Sequence, residues 1–204
     1  MMAVNVANPK ENDFVIDVCA APGGKSILSA VKMNDKGHII SRDLTQRKVD
    51  LLNDNLTRLK INCIEAQVFD ATVLDESLIG KADVLICDVP CSGLGVIGNK
   101  SDIKYNMSLE QQEELVKLQR NILNVVSEYV KPGGTLIYST CTTNKNENIN
   151  NARWFIDHFP YEMESIDKFI PDKYKCETTK EGYLQLLQGV HDCDGFFICR
   201  LIRK

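Results

Sequence analysis

The stretch Asp17 to Ser26, with the sequence DVCAAPGGKS, decides the fold predicted for this chain. It follows the apolar run Phe14 to Ile16 and precedes a helix-patterned segment from Ile27 to Met33, so it predicts a strand that passes through a glycine turn into a helix. Small side chains in such a turn let a ligand approach the backbone closely, and the start of a helix offers unpaired N–H groups to a polar ligand. A doubly wound α/β sheet holds a nucleotide-like ligand at a turn of this kind. The alternative is a tight turn that binds no ligand.

Three further strand patterns each end in an aspartate, and together they predict one crevice. The runs are 37–41 before Asp43, 63–69 before Asp70 and 82–87 before Asp88. In an open α/β sheet the carboxyl ends of the strands form the binding crevice, so we expect the three carboxylates at the same edge. Asp43 lies about 20 residues beyond the glycines, where related folds place an acid that accepts a hydrogen bond from a ribose hydroxyl. Capping of the helix that follows is an equally open role for Asp43.

The rest of the chain continues the alternation of helices and strands. Helix patterns cover residues 1–7, 46–59, 108–130 and 146–158, and the third is capped by Ser108 and ended by Pro132, Gly133 and Gly134. Strand patterns cover residues 135–139 and 195–201, and the last strand suits an antiparallel hairpin that closes the sheet. The loop of residues 92–107 is long and rich in glycine, which is typical of a functional loop. We therefore predict one α/β domain over residues 1–204.

Composition places the chain among globular proteins and disfavours several other classes. Of the 204 residues, 44% are hydrophobic and 25% are charged. No basic segment leads into an apolar run at the start, and no segment reaches the roughly 18 apolar residues that a membrane span needs. We expect a cytoplasmic monomer that does not engage a membrane. The net charge of −4 argues against strong nucleic-acid binding by the domain alone, since phosphate contacts need clustered lysine and arginine.

The eight cysteines indicate free thiols, two of which are candidates for chemistry. A disulfide framework suits a short secreted chain, whereas most of these cysteines lie in apolar runs or at strand ends. No Cys-x-x-Cys pair occurs, so no metal site is predicted. Cys91 and Cys141 stand at strand ends next to polar residues, unlike Cys87 and Cys199 inside apolar strands. A thiolate at such a place is a strong nucleophile, and the alternative for each is a buried structural cysteine.

Four motifs in this order resemble one family of RNA-modifying enzymes. They are DVCAAPGGKS from Asp17, DVPCSGLG from Asp88, STCTTNKNEN from Ser139 and DGFFICRL from Asp194. Together they resemble the RNA 5-cytosine methyltransferases of the Sun/Nop2 family, and among these the RsmB-like bacterial enzymes of small-subunit (16S) ribosomal RNA. The resemblance covers nearly the whole chain. It implies a Rossmann-like fold that uses S-adenosyl-L-methionine, with a mostly parallel seven-stranded sheet and an antiparallel last strand.

The resemblance implies where S-adenosyl-L-methionine is held. Asp43 takes the ribose hydroxyls and Asp70 lies near the adenine, and both roles suit carboxylate acceptors. Asp88 borders the cofactor, and Lys25 positions Asp88 or the cofactor. The methionine end is wrapped by the turn, which comprises Cys19, Ala20, Ala21, Pro22, Gly23, Gly24 and Lys25.

The resemblance also implies a covalent mechanism at two cysteines. Carbon 5 of cytosine is a weak nucleophile, so in this family a thiolate, here Cys141, first adds to carbon 6. The second cysteine, here Cys91, is associated with product release by helping to remove the carbon 5 proton. Asp88 bonds the ring N3 and the amino group. The base must be unpaired or extruded, because carbon 6 is not reachable within a stack.

The sequence departs from the family pattern at three places. Gly98 and Asn99 precede Lys100 where relatives often have arginines, so no phosphate contact is assigned there. Ile149 stands where relatives more often have a second glutamate. Family members usually carry N-terminal RNA-binding parts ahead of this core, and this chain begins just before the first motif. We therefore expect a catalytic core that binds the cofactor but binds RNA poorly on its own.

Two other functions stay open at this point. One is methylation of an exocyclic amine of a nucleic-acid base, although such enzymes place a Pro-Pro-aromatic motif where this chain has Val89, Pro90 and Cys91. The other is a noncatalytic RNA-binding or assembly module that keeps the cofactor fold, which the acidic charge favours and the retained cysteines and carboxylates oppose. A dehydrogenase is disfavoured because the turn lacks the G-x-G-x-x-G spacing.

Overall fold

A central β-sheet runs through the chain, and the computed structural model describes residues 1–99, 102–103 and 107–204. The strands are β1 Phe14–Asp17, β2 His38–Asp43, β3 Ile64–Val68, β4 Ala82–Asp88, β5 Val130–Thr140, β6 Tyr161–Met163, β7 Tyr183–Leu186 and β8 Phe196–Arg203. In the described residues their order is β3-β2-β1-β4-β5-β8-β6, and β7 also pairs with β8. β1 to β5 are parallel, whereas β8 is antiparallel to β5. The predicted α/β fold with an antiparallel last strand is confirmed.

β6 and β7 lie on the same edge of β8. β6 pairs with residues 201–203 and β7 pairs with residues 196–199, while β5 occupies the opposite edge along residues 197–202. Over the described residues the sheet therefore has eight strands where seven were predicted, because two short strands, β6 and β7, share the outermost position beside β8.

Helices cover both faces of the sheet. In the described residues the α-helices are α1 Met2–Ala7, α2 Gly24–Lys32, α3 Gln46–Leu59, α4 Leu109–Val126, α5 Ile149–His158 and α6 Glu177–Glu181. Alternate strand residues point to opposite faces. Ile16 and Leu85 accordingly belong to the core under α4 and α5, whereas Val15 and Ile86 belong to the core under α1, α2 and α3.

The helix predicted over residues 108–130 ends at Val126. Its start is as predicted, because Ser108 caps the helix and accepts a 3.1 Å hydrogen bond from the backbone N–H of Gln111. β5 then begins at Val130, and the pairing with β4 shifts between there and residue 135. Gly134 packs so closely that a Cβ would lie 2.9 Å from the carbonyl oxygen of Ala82. The glycines therefore form a bulge inside a strand, where the sequence predicted the end of a helix.

The helix predicted over residues 146–158 begins three residues late, at Ile149. Asn148 is held in a non-helical conformation, with φ −106° and ψ −108°. Its side chain accepts a 2.5 Å hydrogen bond from the hydroxyl of Thr140 and donates a 2.9 Å bond to the carbonyl of Thr142. These bonds tie the segment before α5 back to the end of β5, where Cys141 lies.

The N-terminal helix α1 is part of the core. Ala3, Val4 and Val6 are fully buried. The guanidinium of Arg200 donates a 2.6 Å hydrogen bond to the carbonyl of Val6, which satisfies one of the orphan carbonyls at the helix end. None of the helices in the described residues is long and apolar enough to cross a membrane.

Candidate active site

A cavity of about 310 Å³ opens at the carboxyl ends of β1, β2 and β4, a size within the range of small-molecule sites. It is lined by most of the predicted site residues, namely Cys19, Ala21, Asp43, Asp70, Asp88, Cys91 and Cys141. A second groove on the other side of the glycine turn is lined by Ala20, Pro22, Gly24 and Lys25, and it also touches Cys19 and Ala21. Of the predicted residues, Gly23 alone lines neither space.

The glycine turn is held against β2 and α3. Gly23 has φ +105°, and a Cβ there would lie 2.4 Å from a methyl carbon of Leu52, so only glycine fits. The backbone N–H of Ala20 donates a 2.8 Å hydrogen bond to the carbonyl of Arg42. At Gly24 a Cβ would meet no atom within 4 Å, which leaves open space beside the turn.

Asp43 fastens the same turn. Its carboxylate accepts hydrogen bonds of 3.0 Å from the backbone N–H of Ala21 and 2.8 Å from that of Leu44. The ammonium of Lys48 lies 2.9 Å from the same carboxylate. The N-cap of α3 is Thr45, so the alternative role of Asp43 as that cap is wrong.

Asp70 also lines the cavity and is exposed. Its carboxylate accepts hydrogen bonds of 2.9 Å from the backbone N–H of Thr72 and 2.7 Å from the Thr72 hydroxyl. These bonds favour the charged form and lower the pKa of Asp70. Phe69 next to it also lines the cavity, and the guanidinium of Arg42 stacks 4.0 Å from the centre of its ring.

Asp88 ends β4 between two donors. It forms an ion pair with Lys25, and the Ser139 hydroxyl donates a 2.6 Å hydrogen bond to its other oxygen. Burial lowers the pKa of Lys25, but the charge and the hydrogen bond of Asp88 more than offset this, so the net shift is upward. Ser139 was not predicted as a site residue, although it stands in the STC motif.

The two predicted cysteines meet at the edge of the cavity. Their sulfur atoms lie 3.3 Å apart, and the backbone N–H of Cys141 also lies 3.3 Å from the sulfur of Cys91. The hydrogen bond to Cys141 raises the pKa of the Cys91 thiol, and burial adds to the rise. Cys87 and Cys199 are fully buried within strands, as their apolar surroundings predicted.

Three features beside the cavity were not predicted from the sequence. Glu147 is a fully buried carboxylate, although the polar letters around it are typical of a surface turn. Gly95 donates a 3.0 Å backbone hydrogen bond to the carbonyl of Cys141 and accepts a 2.8 Å bond from Gly195. Asp17 is fully buried and accepts a 2.7 Å hydrogen bond from Ser26. Glu147, Gly95 and Asp17 all lie within the four motifs, but nothing else in the sequence indicated their contacts.

The loop after Cys91 is partly described. Asn99 donates a 2.9 Å hydrogen bond to the carboxylate of Asp194, whereas Lys100 lies outside the described residues, as do residues 101 and 104–106. In the part of the chain that the structure describes, no three His, Cys, Asp or Glu side chains are placed to hold a metal ion together.

Comparison with known protein families gives one match over nearly the whole chain. The family model described as 16S rRNA methyltransferase RsmB/F matches residues 4–202. The probable ribosomal RNA small subunit methyltransferase B of Bacillus subtilis is 38% identical and covers 100% of this chain and 46% of its own length. The ribosomal RNA small subunit methyltransferase F of Cronobacter sakazakii is 34% identical over 92% of this chain and 39% of its own length. The chain thus spans less than half the length of these relatives.

Solved structures share the whole fold. NSun6 from Pyrococcus horikoshii, solved with SFG, superposes with a TM-score of 0.88 at 29% identity and covers 99% of this chain and 50% of its own. A methyltransferase homologue from Pyrococcus horikoshii superposes with a TM-score of 0.81 at 27% identity, over 100% of this chain and 66% of its own. The described fold is therefore that of known methyltransferase domains.

Proposed function

The chain belongs to the 16S rRNA methyltransferase RsmB/F family, and we propose that it methylates carbon 5 of a cytosine in small-subunit ribosomal RNA with S-adenosylmethionine as cofactor. The observation that carries the proposal is the pair of sulfur atoms 3.3 Å apart at the edge of the cavity. A single thiol serves addition to the base, whereas this reaction also requires a group that removes the proton from carbon 5.

The cavity fits the cofactor in size and in chemistry. S-adenosylmethionine supplies an electrophilic methyl group when bound. Its ribose hydroxyls and adenine amino group are donors, and Asp43 and Asp70 place two carboxylate acceptors at the cavity. The open space at Gly24 leaves room for the methionine end along the turn from Cys19 to Lys25.

Cys141 is the nucleophile in this proposal. Its thiol proton passes to N3 of the cytosine as a bond forms between its sulfur and carbon 6, and the electron pair of the double bond between carbons 5 and 6 makes carbon 5 nucleophilic. The carboxylate of Asp88, held by Lys25 and Ser139, lies at the same edge and accepts hydrogen bonds from the amino group and from the protonated N3 of the ring. The ammonium of Lys25 interacts electrostatically with Cys141, and a cation beside a thiol favours the thiolate form.

Cys91 removes the carbon 5 proton in the second half of the reaction. Its pKa is raised mainly because its thiol bonds to the sulfur of Cys141. Once Cys141 is bound to carbon 6 its sulfur is a neutral thioether, so this cause of the shift is gone and Cys91 becomes easier to deprotonate. Cys91 loses its own proton to water and, as the thiolate, takes the proton of carbon 5. The electron pair re-forms the double bond between carbons 5 and 6, the bond from Cys141 to carbon 6 breaks, and Cys141 regains its proton from N3, which releases the methylated base.

The decisive experiment is transfer of labelled methyl from S-adenosylmethionine to unmodified small-subunit ribosomal RNA, followed by nucleoside analysis. We expect 5-methylcytidine from the parent chain and none from Cys141→Ala. Cys176→Ala is the matched control, because Cys176 is an exposed free cysteine that does not line the cavity. Label on an exocyclic nitrogen, or full activity of Cys141→Ala, would contradict the proposal. Cofactor binding with no transfer, at RNA concentrations at which the chain is measured to bind the RNA, would support the noncatalytic alternative.

A further inference from the structure

The fully buried side chain of Glu147 accepts hydrogen bonds from two different segments of the chain. Its carboxylate accepts hydrogen bonds from the backbone N–H of Ser92 at 2.9 Å and from the Ser92 hydroxyl at 2.5 Å. The side-chain amide of Gln119 donates a third bond at 2.9 Å. All three donors are neutral, and the carboxylate, which is an acceptor only, satisfies them together.

These bonds enclose Cys91 on both sides. Ser92 follows Cys91 directly, and the same amide of Gln119 donates a 2.9 Å bond to the carbonyl of Pro90, which precedes it. One carboxylate therefore determines the position of the backbone before and after the Cys91 thiol, through Ser92 directly and through Gln119.

The same network reaches the Cys141 loop. The hydroxyls of Ser92 and Thr142 lie 2.7 Å apart, and Thr142 follows Cys141 directly. The carbonyl of Glu147 accepts a 2.5 Å hydrogen bond from the hydroxyl of Tyr138 on β5, the strand that delivers Cys141. Glu147 is thus anchored to one cysteine segment through its backbone and to the other through its side chain.

We propose that Glu147 is a positioning residue, which sets the distance and orientation between the thiols of Cys91 and Cys141. This inference deepens the proposed function, because the two thiols must then act in turn on adjacent carbons of one base. Glu147 does not line the cavity and touches no reacting atom. Glutamine in its place has one acceptor oxygen and a donor amide. That amide faces either the Ser92 hydroxyl, which must then turn to accept, or the Ser92 N–H and the Gln119 amide, so the bonds that hold the Cys91 loop rearrange in either orientation.

The test measures the spacing of the thiols without relying on catalysis. Diamide oxidises two nearby thiols: a sulfur–sulfur bond forms, and the two hydrogens reduce diamide to its hydrazine. We expect the disulfide between Cys91 and Cys141, quantified by peptide mass spectrometry, to form about tenfold more slowly in Glu147→Gln, because disulfide formation needs close and oriented sulfurs. Glu162→Gln is the matched control, since Glu162 is an exposed carboxylate that pairs with Lys204.

Turnover gives a second readout. In Glu147→Gln we expect kcat to fall by about 10- to 100-fold, with an accumulated covalent RNA adduct and an unchanged KM for S-adenosylmethionine. Thr142→Val removes the link between the loops together with a 3.2 Å hydrogen bond from the backbone N–H of Asn144, and it should also slow disulfide formation. If Glu147→Gln fails to fold, the rate of disulfide formation in Thr142→Val tests the proposal instead.

Disulfide formation at the parent rate in folded Glu147→Gln, or in Thr142→Val where the first variant does not fold, would overturn the proposal. If the parent chain methylates no RNA and Glu147→Gln still slows disulfide formation, the positioning role stands and only the proposed reaction fails.

Discussion

The sulfur atoms of Cys91 and Cys141 lie 3.3 Å apart although 50 positions separate the two residues in the chain. The cause is the topology of the sheet. β4 and β5 are parallel neighbours, so the loops that follow them leave the sheet at the same edge. Two thiols placed in this way can hold one proton between them before the reaction and exchange roles during it.

Replacing Cys91 by alanine should trap the reaction halfway. In the proposed mechanism, addition through Cys141 and methyl transfer do not need the second thiol, whereas removal of the carbon 5 proton does. We expect turnover to fall by about 100-fold or more and a covalent complex of protein and RNA to appear on a denaturing gel. The double variant with Cys141→Ala should show no complex. A Cys91→Ala variant that turns over at the parent rate would exclude Cys91 as the base.

Asp43→Asn should weaken cofactor binding. Asparagine keeps the size of the side chain but loses the charge that strengthens a hydrogen bond from a ribose hydroxyl. We expect the Kd for S-adenosylmethionine to rise by about 10- to 100-fold in calorimetry. Asp50→Asn is the matched control, because Asp50 is an exposed aspartate of α3 that bonds Gln46. An unchanged Kd would remove Asp43 from the cofactor site.

The strand-end residues were predictable because local pattern determines them. Asp43, Asp70 and Asp88 each follow an apolar run, and the parallel order of the strands brings such residues to one edge. The cysteine pair followed from the same reasoning, since Cys91 and Cys141 come shortly after two neighbouring strands.

The network behind the cysteines was not predictable, because its partners are distant in sequence. Glu147 and Ser92 are 55 positions apart, and nothing in the polar segment around Glu147 indicates that its carboxylate is buried. The bulge at Gly133 and Gly134 was missed for a related reason. A Pro-Gly-Gly segment ends helices in most contexts, and only the close carbonyl of Ala82 shows that the glycines lie within a paired strand.

Gly95→Ala should reduce methyl transfer more strongly than it reduces the stability of the fold. A Cβ at Gly95 would lie 2.3 Å from the carbonyl oxygen of Gly195, so the loop that begins at Cys91 must move away from β8. We expect a loss of about 1 to 3 kcal/mol in the free energy of unfolding, and a loss of methyl transfer that persists at temperatures where the variant is fully folded.

Gly80→Ala is the comparison for this variant. Gly80 has φ +66° and no atom within 4 Å of a built Cβ, so alanine there carries only the backbone cost, about 1 to 2 kcal/mol. It should leave methyl transfer intact. Equal activity in Gly95→Ala and Gly80→Ala would show that the contact between the two glycines does not shape the site.

Asp17 should make the folded protein less stable as pH rises. A carboxylate whose pKa is lowered by folding has the opposite effect. Burial raises its pKa from 3.8 to about 6 in the folded chain. The native state therefore binds this proton more tightly than the unfolded state, and the free energy of unfolding falls as pH rises between these values.

Asp17→Asn removes this titration, so its unfolding free energy relative to the parent should increase between pH 4 and pH 7 by up to about 3 kcal/mol. Urea denaturation of both proteins at several pH values measures the difference. Ser26→Ala should steepen the fall in the parent background, because the hydrogen bond from Ser26 lowers the pKa of Asp17 and limits the shift that burial causes. A difference between Asp17→Asn and the parent that stays constant over this range would show that Asp17 remains charged when buried.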